Sequence, residues 1–189
     1  MIRIGLLGDI GSGKSYVAKN FGYPVFNADY EVSQLYKNDK KIFIKLKKIL
    51  PKFIRIFPVD KMQISDAILA NDHNLKKIIK IIHREIRKKM FVFLKKNKNK
   101  KIIVLDIPLL LENKLNRKKD VLVFVDSKKS DILKNLKKRV NFNKKLYNRF
   151  KKIQLPLDYK KKKSNFVIKN RFTKKSVKSG VTEILKQIK

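Results

Sequence analysis

The run Gly8-Asp9-Ile10-Gly11-Ser12-Gly13-Lys14-Ser15 constrains this chain more than any other feature. It fits the pattern G-x-x-x-x-G-K-[ST]. The apolar segment Ile2-Arg3-Ile4-Gly5-Leu6-Leu7 precedes it, and Tyr16-Val17-Ala18-Lys19-Asn20-Phe21, a stretch with helical potential, follows. Strand, glycine loop and helix in that order form a phosphate-binding loop. Its glycines let backbone N–H groups turn inward around phosphate oxygens, and the helix N-terminus adds the positive end of its dipole. In such a loop Lys14 reaches the β- and γ-phosphates and the Ser15 hydroxyl ligates Mg²⁺.

Downstream, short apolar runs alternate with helix-period segments, which points to α/β layering around a parallel sheet. Strands are expected over 2–7, 24–27, 102–106, 121–125 and 165–168. Helices are expected over 14–21, 29–36, 42–50, 64–70, 74–96, 130–139, 144–153 and 174–188. In the longest of these, Leu75, Ile78, Ile79, Ile82, Ile86, Met90 and Phe93 share one apolar face. The Lys-rich runs 95–101 and 160–163 read as solvated loop or helix-end charge.

A chain of 189 residues with 43% hydrophobic residues is most simply one domain with a real core. It has no cysteine, which excludes a disulfide framework or a thiolate metal site. No apolar stretch approaches the roughly twenty residues needed to span a bilayer. The first residues read directly as a strand, so no signal peptide is expected. A soluble cytoplasmic protein, with no membrane partner and a monomeric or weakly oligomeric state, is expected. The formal net charge of +35 admits two readings. A basic surface binds nucleic acid by releasing condensed counterions. Here, however, the excess is lysine rather than arginine, Asn and Ile are abundant too, and the charge runs through nearly every segment. Residue bias therefore outweighs a nucleic-acid role. In either case a positive field speeds capture of polyanionic small substrates.

Three further groups of residues carry chemistry. Asp29 follows the second strand, at the carboxyl edge where open α/β sheets gather ligands. It reads equally as a base for an attacking hydroxyl or as the cap of the following helix. Asp106 ends the third strand, the place where phosphate-loop enzymes put an acid for Mg²⁺. After it, the segment Pro108-Leu109-Leu110-Leu111-Glu112 is suited to wall an acceptor pocket. His83 lies within the long helix beside Arg84 and reads as structural on its own. Arg139 and Arg149 stand out because arginine is scarce, and an arginine on a mobile lid neutralises charge on a transferred phosphoryl group. Plain surface charge is the competing account of both.

Taken together these residues resemble the dephospho-coenzyme A kinase family. The loop is similar to that family's G-G-I-G-S-G-K-S. Val25-Phe26-Asn27-Ala28-Asp29 resembles V-x-D-A-D, Asp60-Lys61 with Ile64 resembles D-R-x-x-L, and His83-Arg84 stands where the family has H-P. Asp106-Ile107-Pro108-Leu109-Leu110-Leu111-Glu112 matches D-x-P-L-L-x-E, while Arg139, Arg149, Gln154, Lys160 and Asn170 keep the spacing of the family's tail. The resemblance implies a P-loop NTPase-like five-stranded parallel sheet flanked by helices. It places the core in 1–30 and 100–189, a helical acceptor-side region in about 31–99, and a helical lid in about 139–160. It implies ATP as donor, Mg²⁺ as cofactor and the ribose 3′-hydroxyl of dephospho-CoA as acceptor. Asp29, Lys14 and Arg139 are the implied catalytic residues. Nucleotide contacts are implied for Gly8, Gly11, Ser12, Gly13, Lys14, Ser15, Tyr16, Arg139 and Arg149. Acceptor contacts are implied for Asp29, His83, Pro108, Leu109, Leu110 and Glu112, and metal contacts for Ser15 and Asp106.

Several positions depart from the family pattern. Asp9 replaces a loop glycine, and its side chain is expected to point outward. Asn27 stands for Asp, Tyr16 for Thr, Lys61 for Arg, Arg84 for Pro and Val140 for an acid, and Ser164-Asn165 replace A-D. With Arg84 in place of proline, the long helix is expected to continue past His83. Two other functions compete: a P-loop kinase of another nucleoside or nucleotide, and an RNA-binding P-loop ATPase using the charge.

Overall fold

The computed structural model describes residues 1–140 and 142–188. Among them, five parallel strands form one sheet in the order β2-β3-β1-β4-β5. These strands are β1 (Ile2–Gly8), β2 (Val25–Asn27), β3 (Ile102–Asp106), β4 (Val121–Asp126) and β5 (Phe166–Lys169). β1 and β3 are apolar except for Arg3 and Asp106 and are buried along nearly their whole length, as parallel strands covered by helices must be. The sheet register sets Ile4 of β1 beside Val104 of β3 and Val121 of β4. It also sets Asn27 at the end of β2 beside Asp106 at the end of β3.

The helices are α1 (Lys14–Asn20), α2 (Ala28–Asn38), α3 (Lys40–Ile49), α4 (Lys61–Ala70), α5 (Asp72–Lys96), α6 (Lys129–Lys137), α7 (Lys144–Lys152), α8 (Leu157–Lys162) and α9 (Lys174–Ile188). The chain divides into two compact units. The first comprises Met1–Asn27, Leu94–Phe142 and Gln154–Lys189, and the second Ala28–Phe93 and Asn143–Ile153.

In the first unit Val17, Ala18 and Phe21 of α1 share a buried core with Val177, Val181 and Ile184 of α9 and the central strands. Toward the amino edge of the sheet, Arg3 of β1 pairs with Asp120 at 3.0 Å, both side chains almost fully buried. Arg3 also donates to the Leu115 carbonyl at 3.2 Å. In the second unit α5 runs unbroken through Arg84, as expected, and Leu75, Ile78, Ile82 and Ile86 are its buried stripe. No helix among the described residues is long and apolar enough to cross a membrane.

Differences from the expected elements have local causes. α3 and α4 begin two and three residues earlier than the apolar periodicity suggests, because Asp39 and Asp60 cap them. The Asp39 carboxylate accepts the Lys41 and Ile42 N–H groups, and Asp60 accepts that of Met62. α2 starts at Ala28, so Asp29 lies inside its first turn and is not its cap. α6 ends at Lys137, which leaves Arg139 beyond the helix.

The run 160–163, expected as solvated loop or helix-end charge, closes the short helix α8, and Lys161, Lys162 and Lys163 are exposed there, but Lys160 is not. Lys160 is 1% exposed and pairs with Glu112 at 2.6 Å. The Leu155 N–H donates to the same Glu112 oxygen at 3.0 Å. A buried pair of this kind is costly to break on one side, because the remaining charge stays desolvated. Lys160→Met is therefore expected to cost roughly 3–5 kcal/mol of stability, read by denaturant unfolding. The double variant Glu112→Leu/Lys160→Met should recover most of that loss.

Candidate active site

The phosphate loop is built by constraints that only its glycines meet. Gly13 has φ 87° and caps α1, and a Cβ there would lie 2.5 Å from the Asn170 amide nitrogen. Gly8 has φ 143°, and a Cβ there would meet the Val125 carbonyl at 2.7 Å. No side chain caps α1, so its first amides are left to an incoming anion. The Ser12 side-chain hydroxyl is buried without a hydrogen-bond partner. A phosphate oxygen is the kind of group that would satisfy it.

Two neighbours hold the loop in shape from the ends of adjacent strands. The Asn170 amide donates to the Ser12 carbonyl at 2.9 Å, and the Ser127 hydroxyl donates to the same oxygen at 3.0 Å. Asn170 in turn accepts the Phe172 N–H at 2.8 Å. Reading the sequence gave Ser127 no role and Asn170 no more than a matching position. The signal available to it was a hydroxyl and an amide just past β4 and β5, at the carboxyl edge of the sheet.

Lys14 is 8% exposed, and its ammonium donates to the Asp9 carbonyl at 2.7 Å and the Gly8 carbonyl at 3.3 Å. The Asp106 carboxylate is 3% exposed and hydrogen-bonded to the Ser15 hydroxyl and to the Asn27 amide, the latter at 2.7 Å. Burial pushes the Asp106 carboxyl above the usual range. The Ser15 bond, the Lys14 charge and the Asn27 bond pull it back. Asn27, noted only as a departure, is thus a neutral donor that supports the Asp106 anion at the end of β3.

The structure brings the two expected metal residues, Ser15 and Asp106, into direct contact. Among the described residues no group of three or more His, Asp or Glu gathers to hold a metal. One or two protein oxygens plus substrate phosphates is the usual way a protein holds Mg²⁺, so this pair fits that ion.

Other expected site residues are placed as follows. Asp9 differs from expectation: it is buried, and its carboxylate accepts the Ile10 N–H at 2.7 Å rather than facing solvent. Leu110 is fully buried, where a Cβ on Gly5 would lie 2.6 Å from it, so it packs over β1 as core. Pro108 and Leu109 are half-buried, and Glu112 is held by Lys160. Gly11 packs against Leu136, Tyr16 is 46% exposed, and Arg139 is exposed after α6.

In the second unit, Asp29 is exposed in the first turn of α2. His83 is half-buried on α5, where burial and the Arg87 charge lower its pKa. The Arg149 guanidinium pairs with Asp72 and donates to the Leu69 carbonyl at 3.3 Å. Those contacts tie α7 to the last turn of α4 and the first residue of α5.

A five-stranded parallel sheet, a glycine loop opening α1, and a Lys14–Ser15–Asp106 cluster at its carboxyl edge define a P-loop kinase. A family model described as dephospho-CoA kinase matches residues 2–175. A protein of that name from the Wolbachia of Brugia malayi is 35% identical over 187 residues, covering 96% of this chain and 95% of its own. The chain belongs to the dephospho-CoA kinase family, and its function is the last-step kinase reaction of coenzyme A biosynthesis.

Solved structures share the fold. TT1252 from Thermus thermophilus aligns with a TM-score of 0.80 at 22% identity, covering 100% of this chain and 98% of that one. A dephospho-CoA kinase from Campylobacter jejuni aligns with a TM-score of 0.65 at 20% identity, covering 98% and 96%.

Proposed function

We propose that the chain transfers the γ-phosphoryl group of ATP to the ribose 3′-hydroxyl of dephospho-CoA, with Asp29 as base and Lys14 and Arg139 as charge stabilisers. The Asp29 carboxylate takes the hydroxyl proton as the sugar oxygen bonds to the γ-phosphorus. The bond from that phosphorus to the bridging oxygen breaks, and ADP leaves with the electron pair. Lys14 compensates charge on the terminal phosphates, and Arg139, exposed on the segment after α6, is available to do the same. Ser15 and Asp106 would hold Mg²⁺, which when bound neutralises charge on the β- and γ-oxygens. Pro108, Leu109 and His83 are offered as acceptor contacts. Leu110 and Glu112 complete the acceptor set that the family resemblance implies, although Leu110 is fully buried and Glu112 is paired with Lys160.

The observation that carries this reading is the buried Asp106 carboxylate, bonded to Ser15 and Asn27 beside Lys14. An anion desolvated at that depth needs a cation, and the loop supplies both an ammonium and a metal-binding hydroxyl. The test is coupled detection of CoA from ATP and dephospho-CoA, with AMP, CMP and adenosine as competing acceptors. Dephospho-CoA is expected to be the preferred acceptor by a wide margin in kcat/KM. Preference for AMP, CMP or adenosine would overturn the acceptor assignment.

A further inference from the structure

Asp9 is the one loop residue whose chemistry opposes the loop's task. Phosphate loops offer amides to anions, yet here a resident carboxylate already accepts one of them, the Ile10 N–H, at 2.7 Å. The residue is 8% exposed, so this is a built feature of the loop and not a solvated surface charge. The backbone of the same residue is engaged as well. Its carbonyl accepts the Lys14 ammonium at 2.7 Å and the Ser12 N–H at 3.2 Å. The main chain of Asp9 therefore holds the cation that must meet the terminal phosphates.

We infer that Asp9 is a specificity-determining residue that holds the place of an anion in the nucleotide-free loop and weakens binding of the triphosphate more than of the diphosphate. The inference rests on ATP being the donor. Two effects act in the same direction. One amide of the loop, that of Ile10, is already held by Asp9 when a phosphate arrives. The phosphate also meets a like charge in a partly desolvated site, where a unit charge a few ångströms away shifts affinity by a large factor. The penalty is greatest for the group nearest Lys14, the γ-phosphate, and smaller once that group has been transferred. The protein's charge of +35 offsets the loss at long range by raising the local concentration of polyanions.

Asp9→Asn isolates the charge, because the amide oxygen still accepts from Ile10. Asp9→Gly removes both the charge and the competitor. Equilibrium titration of the full chain with MgATP and MgADP reads the effect, and thermal unfolding confirms that the variants are folded. Asp9→Asn is expected to bind MgATP at least about fivefold tighter, with a smaller gain for MgADP, and Asp9→Gly to do at least as well. Unchanged or weaker MgATP binding in a folded Asp9→Asn protein overturns the inference. So does an equal gain for both nucleotides. Should Asp9→Asn fail to fold, Asp9→Gly decides by the same ratio. A wild-type chain that binds no MgATP overturns the donor assignment and this inference with it.

Discussion

Lys14→Ala is expected to lower turnover by roughly 10²–10³-fold and to weaken MgATP binding in the same variant. The Lys14 ammonium is nearly buried, with its hydrogens on the Gly8 and Asp9 carbonyls, so it enters the reaction already oriented. Charge stabilisation of this pre-organised kind acts most strongly where water is excluded. The loss has a second component. Asp106 is raised by burial and held down in part by the Lys14 charge. Removing that charge takes its pKa higher, so the carboxylate protonates at higher pH. The acid limb of the residual activity should therefore move to higher pH than in the wild type. Steady-state kinetics across pH, with parallel nucleotide titration, measures both effects. Turnover within about tenfold of wild type and an unmoved acid limb would remove Lys14 from the mechanism.

The fold was legible where burial is two-sided and local. β1 and β3 are runs of four or more apolar residues, and such runs identify buried parallel strands without knowledge of their partners. The loop was legible because its glycines are demanded by backbone geometry within eight residues. What stayed hidden depends on partners distant in sequence. Lys160 sits in a lysine run that looks like solvated charge, and only its pairing with Glu112, distant in sequence, makes it a buried ion. Asp9 was expected to face outward because a carboxylate near phosphates is unfavourable, but it is buried and its carboxylate accepts the next residue's own amide. Asn27 read as a lost acid, whereas the β2–β3 register makes it a donor to Asp106. The Ser127 and Asn170 bonds to the Ser12 carbonyl depend on the β4–β5 end of the sheet and have no local signature.

Asp29→Asn is the substitution that separates chemistry from binding. Proton transfer to a positioned carboxylate contributes roughly 10²–10⁴-fold to rate, and an amide cannot supply it. The expected result is a fall in kcat of that order, while the dissociation constant of MgATP stays close to wild type. Asp29 lies in the first turn of α2 and not in the loop, so the nucleotide-binding amides and the Lys14–Ser15–Asp106 cluster keep their own contacts. Loss of the helix-terminal charge is a small matter by comparison. A carboxylate in the first turn of a helix is worth about 0.3–1 kcal/mol to stability, too little to unfold the chain. Thermal unfolding of the variant should therefore stay near that of the wild type while turnover collapses. Asp29→Glu, which keeps the carboxylate but displaces it by one methylene, should recover part of the rate. Had the residue been the cap of α2, the reverse pattern would be expected, with stability lost and turnover kept, but the helix begins at Ala28. Near-normal kcat in a folded Asp29→Asn protein would show that the hydroxyl proton leaves by another route.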